Sequence, residues 1–142
     1  MIDINAPIIP YEGMGGIKLY STIKDLKEIL SSDSVKATVI NNLWIRYEIA
    51  DYLYLFFSLL NGKLFKITTL RGYRGLLWDK INVGMKAEEF IKIEPSFRYD
   101  DFEEIYESDK GIFIETDAEE DRALWISVYV KDISTYCRYE EL

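Results

Sequence analysis

Apolar residues recur along this chain with two different periods, and the alternation between them divides it into short elements. Gly13-Met14-Gly15-Gly16 predicts a flexible turn leading into a short strand, Ile17-Lys18-Leu19. Ser21 or Thr22 then stands as N-cap for a helix over residues 23–30. There Ile23, Leu26, Ile29 and Leu30 share a face, and Asp25 lies beside the positive end of the helix dipole. From Ala37 the period becomes two. Leu43, Ile45, Tyr47 and Ile49 point one way and Trp44, Arg46 and Glu48 the other, so one half-buried strand is expected up to the Ala50-Asp51 turn. Residues 52–60 and 63–70 flank Asn61-Gly62, which predicts a hairpin with a two-residue type I′ turn.

A basic, glycine-broken connection over residues 71–77 follows, and the same order then begins again. Ile81-Asn82-Val83 echoes Ile17-Lys18-Leu19, and the helical spacing of Ala87, Phe90, Ile91 and Ile93 predicts a helix over 86–93, closed by Glu94-Pro95. Strands are expected at 102–107, 111–115 and 123–130, and residues 134–142 read as a frayed end. The expectation is one α+β domain with two β-α-β-β-β halves, about 13–70 and 78–130. Mainly antiparallel sheet would pack with two helices, because halves of this size cannot each bury a core alone.

Composition narrows the functional classes. The 142 residues are 49% hydrophobic and 15% aromatic, enough for a packed core, while net charge −8 argues against a nucleic-acid backbone or an anionic membrane as partner. The chain has no histidine, which removes imidazole from acid–base catalysis, nucleophile activation and metal ligation. The apolar run at 52–60 is far too short to cross a membrane as a helix. The single Cys137 and an N-terminus without signal-peptide features favour the cytoplasm.

Charge is unevenly placed. Residues 1–82 carry 10 basic and 8 acidic side chains, and residues 83–142 carry 7 and 17. Between residues 94 and 121 stand 12 carboxylates: Glu94, Asp100, Asp101, Glu103, Glu104, Glu107, Asp109, Glu115, Asp117, Glu119, Glu120 and Asp121. Alternation places Trp125 and Tyr129 opposite Leu124, Ile126 and Val128, and Phe113 opposite Ile112 and Ile114. Carboxylates interleaved with aromatics fit a protein-binding surface, in which aromatic area anchors and negative charge steers a basic protein toward it. The carboxylates other than Glu94, together with Phe113, Trp125 and Tyr129, are assigned to partner binding. Two alternatives stay open: the acid face serves solubility alone, or the aromatics are core beneath a covering helix.

Other chemistry fits less well. No D-x-[DN]-x-[DN]-G run supports calcium, and among 25 acidic residues a close carboxylate pair is inevitable, so glycoside hydrolysis gains nothing from one. The glycines at 13–16 precede a strand and lack Gly-Lys-Ser/Thr, which makes them a turn and no phosphate loop. Cys137 has no histidine partner. Arg71-Gly72-Tyr73-Arg74-Gly75 is the one basic segment able to touch nucleic acid, and an intramolecular role suits it better. No enzymatic activity, cofactor or metal is expected, and the oligomeric state is left open.

Gly13-Met14-Gly15-Gly16-Ile17-Lys18-Leu19 and Ile81-Asn82-Val83-Gly84-Met85-Lys86-Ala87-Glu88-Glu89-Phe90 resemble the glycine-led strand and V-G-M-x-x-E-E helix start of small bacterial α+β proteins. Among these are immunity proteins of polymorphic toxin and contact-dependent growth inhibition systems. The resemblance covers about 25 residues and specifies no ligand. It implies an inhibitor that binds and neutralises a basic toxin, often a nuclease domain. The alternative is a small-ligand or structural module, possibly dimeric.

Overall fold

The computed structural model describes residues 2–136, so 137–142, Cys137 included, lie outside the described residues, while 134–136 of the segment read as a frayed end belong to a short helix. The first element is a hairpin of β1 (Gly13–Met14) and β2 (Ile17–Lys18), with Met14 opposite Ile17. Gly15 and Gly16 both have positive φ, at 69° and 78°, which is what a two-residue primed turn requires. The glycine cluster is thus a structural turn.

Thr22 and Asp25 exchange bonds, each side chain accepting from the other's backbone N–H at 3.1 and 3.0 Å. This box opens a run of turns, and only Lys27–Leu30 form α1. Ile23, Leu26, Ile29 and Leu30 still pack against the core, so the apolar spacing reported the buried side correctly while overstating the helix. The single strand expected from Ala37 is two, β3 (Val35–Val39) and β4 (Trp44–Ile49). Asn42, at φ 69°, reverses the chain between them, and the Asn41 carboxamide accepts the Leu43 N–H.

The hairpin of β5 (Leu53–Ser58) and β6 (Leu64–Thr69) is present as expected, but its turn is longer. Within the turn Gly62 alone has positive φ, its N–H returns to the Ser58 carbonyl, and a bulge at Phe65 lies opposite the Phe56–Phe57 step. A type I′ turn would need positive φ at Asn61 as well.

The second half opens differently from the expectation. Ile81 makes a single bridge to Leu77 around the positive-φ pair Trp78 and Asp79, and no strand forms there. Helix α2 (Ala87–Ile93) follows, then β7 (Arg98–Asp100), β8 (Ile105–Ser108), β9 (Ile112–Thr116), β10 (Ala123–Tyr129) and a short α3 (Ile133–Tyr136). β7 was not foreseen, and residues 101–104, partly read as strand, form the turn after it. Each half therefore contains a helix followed by four strands, the first preceded by the β1–β2 hairpin, and the β-α-β-β-β order is replaced.

The eight strands β3–β10 form one antiparallel sheet ordered β3-β4-β5-β6-β10-β9-β8-β7. Two four-stranded meanders meet at a central seam between their last strands. Ile67 lies opposite Val128, the Thr68 and Ser127 hydroxyls bond at 2.7 Å, and the Ile126 N–H donates to Thr69 Oγ1 at 2.8 Å. Leu53, Leu55, Ile67, Ile112, Ile114, Ile126 and Val128 line one face. Phe90 of α2 packs there against Phe97 and Tyr106. One contiguous core spans both halves, so the molecule is a single α+β domain.

Candidate acidic and aromatic binding face

Paired residues of antiparallel strands share a face, so the register identifies the second, outer face. It carries Trp44, Arg46, Tyr54 and Phe56 in the first half, and Lys66 and Thr68 on β6. In the second half it carries Ser127 and Tyr129 on β10, Phe113 and Glu115 on β9, and Glu107 on β8. Trp125, opposite Glu115, belongs to this face as well.

A hollow of about 240 Å³ opens here, lined by Glu103, Ile105, Glu107, Phe113, Glu115, Tyr129 and Ile133. Phe113 and Tyr129 stack with ring centroids 5.3 Å apart, and the Tyr11 ring meets Tyr129 edge-on at 6.2 Å. Beside them the Lys66 ammonium lies 4.1 Å from the centroid of Phe56 and 5.6 Å from that of Phe113. Burial pushes the Glu115 carboxyl above its ordinary value; the Lys66 charge opposes that shift and the Glu103 charge adds to it. Burial also pushes the Tyr129 phenol up to about 12, so it stays neutral at physiological pH.

A second hollow of about 340 Å³ adjoins the first, and Glu103 and Glu115 line both. Tyr99, Glu104, Thr116, Asp117, Ala118 and Asp121 complete it. Of the residues assigned from sequence to partner binding, Glu103, Glu104, Glu107, Phe113, Glu115, Asp117, Asp121 and Tyr129 thus converge on two joined hollows. Trp125 stands beside them, 37% exposed. Phe113 is buried, so it forms the floor and is no projecting anchor.

The remaining assigned residues do not line either hollow. Asp100 Oδ1 accepts the N–H groups of Phe102 and Glu103 and so shapes the β7–β8 turn. Glu120 pairs with Arg122 at 2.6 Å, while Asp101, Asp109 and Glu119 are exposed elsewhere. Two carboxylates within the second hollow are also committed to the fold. Asp117 accepts the backbone N–H groups of Arg122 and Glu120, the first of which pulls its pKa down. Asp121 accepts the Tyr106 and Thr116 hydroxyls at 2.8 and 2.6 Å. Glu103, Glu107 and Glu115 are the carboxylates that face the aromatic floor.

Sequence reasoning missed Phe102, which is 86% exposed at the tip of the β7–β8 turn between Asp101 and Glu103. The signal was the Asp100-Asp101 pair, which starts a turn, whereas Phe102 was read as the first residue of a strand. Tyr73 of the basic segment is buried. Its hydroxyl donates to the Ala6 carbonyl and accepts the Gly15 N–H, so it binds the N-terminal hairpin and is not presented to a base. Among the described residues no cluster of three or more His, Cys, Asp or Glu side chains is arranged to hold a metal ion, and no helix is long and apolar enough to cross a membrane.

No family model matches the sequence, and no curated protein matches it. Among solved structures the chain is similar to a cysteine-rich secretory protein from Staphylococcus aureus subsp. aureus Mu50, with a TM-score of 0.55 and 13% identity. The match covers 92% of this chain and 50% of that one, so this chain spans half the length of its structural neighbour. At that identity the likeness is one of fold.

Proposed function

We propose that this protein is an immunity-type inhibitor, working in the cytoplasm, that binds a basic protein toxin through the outer face of strands β8–β10. The observation that carries the reading is the hollow in which Glu103, Glu107 and Glu115 surround the stacked Phe113 and Tyr129 rings. An arginine or lysine side chain entering it lays its carbon stem on the aromatic floor while its charge meets the carboxylates. Trp125 and Phe102 supply apolar area at its margins, and the surrounding negative field raises the rate of encounter with a cationic surface. A nuclease domain, whose own basic residues meet a phosphate backbone, is the target this chemistry fits best.

The test immobilises the protein and a triple variant, Glu103→Gln/Glu107→Gln/Glu115→Gln, in lysate of the source cell at low and high salt. The expected result is one basic protein held by the native chain at low salt, released at high salt and not held by the variant. Its nuclease activity should fall when the native chain is added. Equal capture by the variant removes this hollow from the interface. Capture of no basic protein turns attention to a hollow of about 530 Å³ beside the β1–β2 hairpin. Ile9, Met14 and Ile17 give that hollow an apolar lining suited to a small ligand.

A further inference from the structure

The two edges of the sheet are unlike. β7 is three residues long and runs into the acidic turn of Asp101, Glu103 and Glu104, so two copies of this edge would repel. β3, at the other edge, has five residues. Lys36, Ala37, Thr38 and Val39 are all exposed, and Val39 and the adjoining Ile40 are 57% and 40% accessible. Neither proline nor bulge interrupts its pairing with β4.

The ladder phase shows what this edge offers. The Ile40 N–H donates to the Trp44 carbonyl and the Ala50 N–H to the Ser34 carbonyl, so even-numbered residues bond inward toward β4. Ala37 and Val39 therefore turn both N–H and C=O outward, and Val35 its C=O, the Val35 N–H being taken by the Ser32 carbonyl.

We propose that this edge pairs with a second copy of itself, joining two sheets across a two-fold axis at Ala37. The sequence Val35-Lys36-Ala37-Thr38-Val39 is self-complementary in that register. Val35 lies opposite Val39 of the second copy on the inner face, and Lys36 lies opposite Thr38 on the outer, so no like charges stand directly opposite each other. Each Ala37 exchanges both backbone bonds with its counterpart, and each Val39 N–H donates to a Val35 carbonyl. Lys36 already lies opposite Glu48 within its own sheet. The arrangement joins the halves with 10 basic and 8 acidic residues and keeps those with 7 and 17 at opposite ends. It is isologous and closed.

Analytical ultracentrifugation of the intact protein tests this. The native chain is expected at twice 16.7 kDa at roughly 100 μM. Ala37→Pro deletes an outward N–H at an edge position where proline fits, and is expected to give a monomer with an unchanged circular dichroism spectrum. Thr38→Lys sets like charges opposite each other twice and is expected to raise the dissociation constant about tenfold or more, less so in high salt. If Ala37→Pro fails to fold, Thr38→Lys and its salt dependence decide. A monomeric native chain overturns the proposal, as does a dimer of unchanged affinity in the folded variants.

Discussion

Strands β3–β6 and β7–β10 occupy equivalent places on either side of the β6–β10 seam, yet their outer faces carry opposite chemistry. In the first half the Arg46 guanidinium lies 4.4 Å above the Tyr54 ring, so the cation is the protein's own. In the second, Glu103, Glu107 and Glu115 line the hollow floored by Phe113 and Tyr129, so carboxylates outnumber the one cation beside it, the Lys66 ammonium 5.6 Å from the Phe113 centroid. The inner faces do not differ in this way: Leu53, Leu55, Ile67, Ile112, Ile114, Ile126 and Val128 are all fully buried. Core burial constrains the inner positions of both halves alike, while the outer positions tolerate divergence in charge. One scaffold can therefore carry a near-neutral end and an acidic end.

Large truncations test whether the halves share one core. Phe57 and Phe90, from different halves, are both fully buried, Phe57 against Tyr47 and Phe90 against Phe97 and Tyr106. Phe57→Ala and Phe90→Ala should each cost about 3–5 kcal/mol and shift a single urea transition. Two separate transitions, each sensitive to only one substitution, would break the comparison by showing independent halves. The seam itself is tested by Thr69→Val, which leaves the buried Ile126 N–H without its acceptor and should cost about 1–3 kcal/mol. Replacing both members of the neighbouring hydroxyl pair, Thr68→Val with Ser127→Ala, should cost less, because neither residue then keeps an unpaired hydroxyl. Urea midpoints of the two proteins measure the difference.

Legibility in the sequence followed the same division. β5 and β6 are buried at nearly every position and so read as apolar runs on either side of Asn61-Gly62, while the buried positions of β9 and β10 mark those strands and give β10 its alternation. β7 was invisible because Arg98 and Tyr99 are exposed and Asp100 only half-buried, so no burial imposes a pattern on it. The β3–β4 turn is masked in the sequence because exposed β3 carries no apolar alternation of its own, so Asn41-Asn42, the residues that reverse the chain, stand beside only one recognisable strand. The acidic surface was legible as charge, but the roles of its members were not. Whether a carboxylate holds a turn, as Asp100 and Asp117 do, or faces an aromatic floor, as Glu115 does, depends on backbone geometry that spacing does not report.

The acid range separates these two kinds of carboxylate. Burial makes folded Glu115 release its proton less readily than in the unfolded chain. Its contribution to stability is therefore full below the ordinary glutamate value and declines as pH rises from there through the raised folded value. Asp117 has the opposite sign. Backbone donors favour its ionised form, so its contribution is present above the ordinary aspartate value and lost as pH falls through the lowered one. Glu115→Gln should flatten the fall in stability as pH rises above the ordinary glutamate value, and Asp117→Asn should flatten the acid loss as pH falls below the ordinary aspartate value. Urea midpoints across pH check both, and an unchanged profile for Glu115→Gln would mean that this carboxyl is hydrated like a surface group. A cationic partner needs Glu115 ionised, so its affinity should rise over the interval in which Glu115 lowers stability.

The smallest effect belongs to the exposed ion pair of Glu120 and Arg122. Both side chains are substantially solvated, and at 2.6 Å the contact holds two flexible groups together in a high dielectric. Glu120→Gln should change stability by about half a kcal/mol or less. Arg122 keeps its bond to the Gly84 carbonyl, and its backbone N–H keeps Asp117. Because Glu120 lines neither hollow, the same substitution should also leave the association rate with a basic partner nearly unchanged at physiological salt, whereas Glu103→Gln should slow it. Equal slowing by the two substitutions, measured by stopped flow, would mean that diffuse charge across the whole second half attracts the partner and the hollow contributes no local recognition.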